Sequence, residues 1–507
     1  MKKYTIYIWC FWFLLSGCGD FLEEQSQDLT YAVNCADLEE LLVGNAYAYG
    51  LPASKVLTSA FLKSTNSKTG GYYFPGLQVM DDDVTASVFG QEPNVSTQPY
   101  SLLGAYYRWD ENTNHDGSAE YDDPNWIRLY THIGVTNAVL SKVDEFTDDS
   151  EADRNRVKGQ ALFLRAYYYY FLVNLYAKPY SAITADSDLG VPLKTFAYVD
   201  DRYWTRAPVD SVYHQILRDL QGAVVCLDGI EMKNRYWANE DAARLLLGRV
   251  YCYMGKWDLV PEVYEELFKK YTLADIVADN KAPYISTTSP ELIFTMGQDC
   301  RDGIFKGPSL SNTVSTFGVS SELEQLYKTG DARFTVRCST DRETGRIYPK
   351  VMDQYVSDVF TLRISEAYLN QAEALAMTGD EAGARALIQE LREKRIAAGN
   401  VGTVTESGKQ LIQFIREERR RELCFEGHRW FDLRRYAVCP NYPESKEIRH
   451  ISYVHTSGSK YQQGTNEGYY LLDAYPAKNW VLPIPAFDVE ENQGELEQNE
   501  RNRSILY

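Results

Sequence analysis

Three kinds of side-chain cluster in this 507-residue chain could do chemistry. Adjacent carboxylates occur at Asp81-Asp82-Asp83 and at Asp122-Asp123, and a carboxylate pair is the minimum equipment for cleaving a glycosidic bond. In a chain of formal net charge −19 such pairs also arise from composition alone. No other catalytic apparatus accompanies them. The six histidines form no HExxH, Gly307-Pro308-Ser309 lacks the second glycine of a GxSxG elbow, and there is no GxxxxGK phosphate loop. The expectation is a protein that is not an enzyme and carries no cofactor.

The second cluster, Asn112-x-Asn114-x-Asp116-Gly117-x5-Asp123, is spaced like a calcium loop, with Asn for the first Asp and Asp for the final Glu. Flanking helices are not evident, and an Asx-rich turn accounts for the same residues. The third kind places aromatics beside amides. A sugar ring has an apolar C–H face and a rim of hydroxyls, so its receptor needs flat rings next to planar polar groups. Tyr72, Tyr73 and Phe74, then Tyr106 to Trp109 followed by Asp110, Asn112 and Asn114, meet that description. So do Gln298, Asp299, Arg301 and Phe305. Trp109 is the leading ring platform, with core packing the alternative for any single aromatic. The Tyr167–Tyr170 run is helix packing, because consecutive residues point around a helix.

These clusters fall in two irregular stretches, 60–124 and 297–319, rich in Gly, Ser, Asn and Asp. Loops this long inside a compact domain are usually functional. Helical patterns surround them. Leu38, Leu41, Leu42 and Ala46 recur at helical spacing before Gly50-Leu51-Pro52; Trp126 to Leu140, a long segment from Asp153 to Pro179, and Val212–Leu227 follow. Leu247-Gly248-x-x-Tyr251-x-x-x-Gly255 fits the first helix and turn of a tetratricopeptide unit, and Tyr368, Ala372, Gly379 and Ala384 fit it again. A short strand is expected at Glu291–Phe294. The predicted fold is mostly α, with interrupted helix pairs, long loop inserts and a few short strands.

The stretch Ile412–Tyr436 reads as a helix from Gln413 to Glu426, broken at Gly427 and followed by a short helix through Trp430 and Leu433. Glu417 and Arg421, Glu426 and Arg429, and Asp432 and Arg435 are spaced as helix-surface pairs, which by charge alone describes a solvated helix. The order of residues says more. Glu418-Arg419, Glu422-Leu423, Phe425-Glu426-Gly427, Arg429 and Asp432-Leu433-Arg434 resemble the ERxxEL-x-FEGxRxxDLxR signature of the SusD/RagB family. The W-x-x-x-Y-x-x-I helix from Trp126, the GQALFLRA segment, Glu322 to Arg333 and the closing Trp480 to Pro485 are similar to further family elements. The usual terminal Asn-Pro-Gly-Tyr is missing after Asn499.

The start of the chain fits that resemblance. Lys2-Lys3, an apolar run over Tyr4–Leu15 and Leu15-Ser16-Gly17-Cys18 resemble a lipoprotein signal peptide, with Cys18 acylated by fatty acids such as palmitate. The acidic tether Gly-Asp-Phe-Leu-Glu-Glu resembles a surface-export signal of Bacteroidota lipoproteins. The seven remaining cysteines are odd in number, with no CxxC pair, so no disulfide framework or zinc site is indicated. The acidic balance argues against nucleic acid. The expected organisation is a signal peptide over 1–17, an acylated tether over 18–36, an N-terminal region over 37–230 and a C-terminal region over 231–507.

The resemblance implies a non-enzymatic outer-membrane lipoprotein on the cell surface. It would bind a nutrient, most simply a glycan, through both inserts and deliver it to a SusC-like TonB-dependent transporter. The RagB branch makes peptide the alternative cargo. A surface glycan-degrading enzyme and a purely protein-binding helical scaffold are the remaining readings.

Overall fold

The computed structural model describes residues 32–48, 58–66, 72–89, 99–116, 119–199, 201–280, 284–306, 317–342, 344–455 and 463–507. The expected signal peptide, Cys18 and most of the tether lie outside the described residues, as do Gly50-Leu51-Pro52, Gly117 and part of the second insert. Among the described residues no helix is long and apolar enough to cross a membrane.

Fifteen α-helices form among the described residues, with few and short strands. The N-terminal series is α1 (Cys35–Asn45), α2 (Ser59–Leu62), α3 (Pro99–Tyr107), α4 (Pro124–Lys142), α5 (Glu151–Tyr176), α6 (Val209–Leu227), α7 (Glu240–Tyr253) and α8 (Val260–Lys270). The C-terminal series is α9 (Ser321–Leu326), α10 (Ala332–Arg337), α11 (Ile364–Thr378), α12 (Glu381–Glu393), α13 (Gly408–Leu423), α14 (Arg429–Ala437) and α15 (Ala486–Glu491). Local chemistry sets their starts. The side chains of Asp123, Ser150, Asn239 and Asp380 accept first-turn amides of α4, α5, α7 and α12. Gly379, at φ +96°, closes α11 in the left-handed conformation.

Successive long helices pack on one another from α4 through α8, and α11 continues the series by packing on α8, α12 and α13. The segment 271–363 interrupts this stack in sequence but not in space. The boundary expected at 230/231 falls between α6 and α7, which pack together, and one core cluster draws on both sides of it. In α5, Tyr167 to Tyr170 are all buried, because neighbours cover that helix on every side. The tetratricopeptide-like spacing has a steric cause. A Cβ on Gly248 would lie 2.3 Å from the Tyr264 ring, so glycine lets α8 close on α7.

Four two-stranded antiparallel sheets complete the fold. β1 (Val84–Ala86) pairs with β3 (Phe317–Val319), with Val84 opposite Val319, and so joins the two inserts. β2 (Leu292–Thr295) pairs with β6 (Thr361–Arg363), which places the predicted strand within a residue of where it was expected. β4 (Cys338–Thr340) pairs with β5 (Ile347–Pro349), and β7 (Ile448–Val454) with β8 (Thr465–Leu472). The first insert is less irregular than its composition suggests. It contains α3, whose Leu102, Leu103, Tyr106 and Tyr107 are buried.

The charges of the signature are buried ion pairs and not a solvated surface. Glu422 accepts from Arg395 at 3.0 Å, Arg363 at 2.7 Å, Arg333 at 3.2 Å and the Tyr284 hydroxyl at 2.7 Å. Glu418 pairs with Arg333 at 2.6 Å, Arg421 at 2.7 Å and Arg392 at 2.9 Å. Arg419 and Arg435 share Asp432, at 2.7 and 2.8 Å. Two expected partners differ. Glu426 binds Arg363 and Arg337 at 2.8 Å, whereas Arg429 reaches Asp82 at 2.7 Å. The helix also ends at Leu423, three residues before the expected end. Arg337 takes the carbonyls of Glu422 and Cys424, so the chain turns through positive φ at both Phe425 and Gly427.

A second polar cluster fixes the start of the second insert. Asp358 Oδ2 accepts from Gln78 Nε2 at 3.0 Å and from the Cys300 thiol at 2.9 Å. Burial first, then the neighbouring Asp299 carboxylate, raises Asp358 to about 7.

Glu422→Gln removes the counter-charge shared by three buried guanidinium groups, and breaking such a pair costs about 3–5 kcal/mol. The urea unfolding midpoint at pH 7 is expected to fall accordingly; an unchanged midpoint would refute a stabilising role. Burial opposes the Glu422 charge, but Arg395, Arg363 and Arg333 hold its carboxyl well below the usual glutamate value. Its contribution is present above that usual value and lost on acidification, so the two proteins should converge at low pH. Asp358 has the opposite sign. Its ionisation costs stability as pH rises from the usual 3.8 through about 7. Asp358→Asn, which mimics the protonated form, should melt higher than the unaltered protein at pH 8 and alike at pH 4. An equal gain at both pH values would exclude ionisation as the cause.

Candidate functional site

Most aromatic side chains singled out for binding are buried in the core. The Tyr73 hydroxyl donates to His132 Nε2 at 2.7 Å under the Arg128 guanidinium, and Phe74 stacks on Phe171 with centroids 4.5 Å apart. The Tyr72 carbonyl accepts from Arg128 at 2.7 Å. Phe305 meets Phe425 edge to face at 5.3 Å. Asp299 and Arg301 are spent on each other through a forked pair.

Trp109 is likewise a packing residue here and presents no free ring face. It is 2% exposed, its indole N–H donates to the Met80 carbonyl at 2.9 Å, and its ring stacks on His450 at 4.2 Å. It sits at φ +53° just after α3, where Asp110 N–H reaches the Ala105 carbonyl and Trp109 N–H reaches Tyr106. That is a Schellman closure with Trp where glycine is cheapest, held in place by core packing.

The spacing that mimics a calcium loop builds turns instead. Asn112 Oδ1 accepts from Asn114 N–H at 2.9 Å, and Asn114 Oδ1 from the Tyr106 hydroxyl at 2.7 Å. Asp116 pairs with Lys63 at 2.8 Å, and Asp123 caps α4 while accepting from the Tyr176 hydroxyl at 2.6 Å. Each of the four side chains therefore serves at least one internal donor. Among the described residues, the carboxylates close enough to share a metal are Asp81, Asp82 and Asp83. Arg429 and Lys446 hold Asp82 at 2.7 and 2.8 Å, and Arg420 holds Asp83 at 2.6 Å. Three cations already supply the positive charge there.

Residues from 110–115 and 120–122 form one wall of an open cleft. Facing it is the C-terminal tail, over 478–506, and the cleft encloses about 1370 Å³. Arg501 builds its floor. Buried, it donates to the carbonyls of Asp110 at 2.9 Å, Glu111 at 3.1 Å and Asn479 at 3.0 Å, and burial lowers its pKa to about 10. Burial opposes the Asp110 charge, yet His115, Arg108 and Ser504 hold that carboxyl down at about 2. Amides come from Asn112, Asn114, Gln498 and Asn499, and rings from Tyr121 and Tyr470. The Tyr121 hydroxyl is shielded from solvent and has no hydrogen-bond partner among the described residues. Glu111, Glu120, Asp122 and Arg503 form an exposed charged rim.

Of the residues singled out from sequence, Asp110, Asn112 and Asn114 line this cleft, together with Asp122 of the carboxylate pair. Gln298 lines a smaller groove elsewhere. Tyr121, Tyr470, Gln498 and Arg501 were not singled out from sequence. For Tyr470 no periodic signal existed: burial alternates along β7, but β8, which carries Tyr470, shows no alternation.

Comparison with known proteins agrees with the fold and the signature. Residues 308–501 match the family described as "SusD family", and residues 79–252 match the one described as "Starch-binding associating with outer membrane". A curated relative, SusD-like protein P2 of Formosa agariphila, is 24% identical over 380 residues, spanning 61% of this chain and 70% of the relative. A SusD superfamily protein of Bacteroides thetaiotaomicron superposes with a TM-score of 0.66 at 18% identity, over 92% of this chain and 100% of that one. Surface glycan-binding protein A of Bacteroides uniformis gives 0.62 at 19%, over 92% and 99%. With its signature motif, its stack of helix pairs and these two family matches, the chain belongs to the SusD/RagB family.

Proposed function

We propose that the protein is a lipid-anchored, cell-surface protein of the outer membrane that captures an oligosaccharide and passes it to a SusC-like TonB-dependent transporter. The observation that carries this reading is the cleft: an open volume of about 1370 Å³ lined by amides, hydroxyls and two tyrosine rings within a charged rim. That is the lining a hydroxyl-rimmed ring with an apolar face requires. Members of the SusD-like family are known as sugar-binding proteins, and one matched family is named for starch binding and outer-membrane association. No step of bond breaking enters the proposal. Ligand held between the wall of residues 110–115 and 120–122 and the tail would bias the protein toward a state closed over its transporter, so binding energy shifts a population.

Calorimetry of the full chain in detergent, against oligosaccharide and peptide panels, tests the cargo. Tyr470→Ala removes a ring face and is expected to weaken the best oligosaccharide about tenfold, roughly 1.4 kcal/mol. Peptides binding while every oligosaccharide fails, or cleaved ligand recovered from the cell, would sink the reading. Cys18→Ala removes the acylation point, and each buried methylene of the anchor contributes about 0.8 kcal/mol. The protein should then leave the outer-membrane fraction, and its full retention there would refute the anchor.

A further inference from the structure

A second concavity shares no lining residue with the cleft. It holds about 280 Å³, near the lower end of the range for small-ligand sites, and Tyr236, Trp237, Tyr355, Met296, Gln298 and Gln354 face it. In a chain with 71 acidic and 52 basic residues, no charged side chain lines this groove. Tyr236 and Tyr355 are 40% and 61% exposed, so their rings are open to solvent. Gln298 Oε1 is the reverse: shielded from water, with no hydrogen-bond donor among the described residues. An acceptor left so costs about 1–3 kcal/mol, which a ligand hydroxyl would recover.

Three walls of the groove are tied to β2, and Val43, Tyr47 and Ala48, at and just after the end of α1, supply a fourth. Thr295 N–H donates to the Arg235 carbonyl at 3.0 Å, which fixes the turn bearing Tyr236 and Trp237. Thr295 Oγ1 accepts from Ser357 N–H at 3.0 Å, and Asp353 accepts from Tyr355 N–H at 3.0 Å and Thr287 N–H at 3.0 Å, fixing the turn bearing Tyr355. The chain leaves β2 through Met296 and Gly297 to Gln298, whose carbonyl accepts from Ser357 Oγ at 3.2 Å. Lys233 covers the Trp237 ring at 4.7 Å. Ordering on binding is therefore largely prepaid, as in preformed sites.

We infer that this groove is a second saccharide site, separate from the cleft, that takes one or two units of an uncharged glycan. The tyrosine rings meet the C–H faces, and Gln298 and Gln354 meet the hydroxyl rim. An acidic sugar is disfavoured, since no cation in the lining compensates the desolvated carboxylate. Two sites on one chain would hold two points of a long polysaccharide, raising avidity without new contacts.

The test is calorimetry of the full chain with maltoheptaose, cellohexaose, xylohexaose and mannohexaose, and with an oligogalacturonate as the charged control. At least one neutral glycan is expected to bind, and Tyr355→Ala and Gln298→Ala should each weaken it about tenfold or more, while Tyr470→Ala in the cleft leaves that component unchanged. Circular dichroism with unchanged melting temperature verifies the folding of both variants. Neutral glycans binding equally well to both groove variants, or losing all affinity through Tyr470→Ala alone, would overturn the second site and leave the cleft reading standing. Equal or tighter groove-dependent binding of oligogalacturonate would overturn the neutral class. Absence of any saccharide binding would overturn both readings.

Discussion

The whole arrangement depends on a set of ion pairs taken out of water around α13. Glu418 and Glu422 lie one turn apart and receive guanidinium groups from α10, from β6 and from the end of α12. Each of those segments arrives from a different part of the C-terminal half. Full pairing is the condition under which such charges tolerate burial, because a lone one would face the full cost of desolvation. The condition is demanding, and it acts as a positional constraint. Arg333, Arg363 and Arg395 can satisfy Glu422 together only if α10, β6 and α12 are all in place.

The same helix and the next one, α14, tie the loop inserts to the scaffold. Arg420 and Arg429 reach Asp83 and Asp82 in the first insert, and the adjacent β1 pairs with β3 of the second. Buried aromatics then fill the space beneath. Phe74 on Phe171, Tyr73 beneath Arg128 and Trp109 on His450 turn what composition describes as loop into a layer of packed rings. That layer is why rings marked as binding platforms are unavailable. Packed on both faces, each contributes more to the core than a partly exposed ring could.

What remains open is shaped by charge as much as by volume. The cleft against the C-terminal tail is rimmed by carboxylates, Lys478 and Arg503, with the buried Arg501 among its lining. The groove beside β2 is uncharged. Both place amides beside tyrosine rings, so both can address hydroxyls and C–H faces at once. Their difference lies in the electrostatic field a ligand would meet on entering.

Much of this was legible in the order of residues. Helical periodicity located the long helices, the small-residue spacing at Gly248 and Gly379 located the paired helices, and the motif from Glu418 to Arg434 identified the family. These signals are local, since spacing along a helix fixes which side chains share a face. Partner choice was not local. Glu426 and Arg429 lie three apart yet bind Arg363 and Asp82, because the helix ends before them and distant guanidinium and carboxylate groups offer better desolvated partners. Which ring packs and which ring faces solvent is likewise invisible in composition: Trp109 and Tyr355 look alike in sequence, but only the tertiary structure covers one and leaves the other open. The chain's own order thus determined its family, its helical class and its buried tyrosine helix. The binding surfaces were decided by tertiary structure, since exposure depends on what long-range packing leaves uncovered.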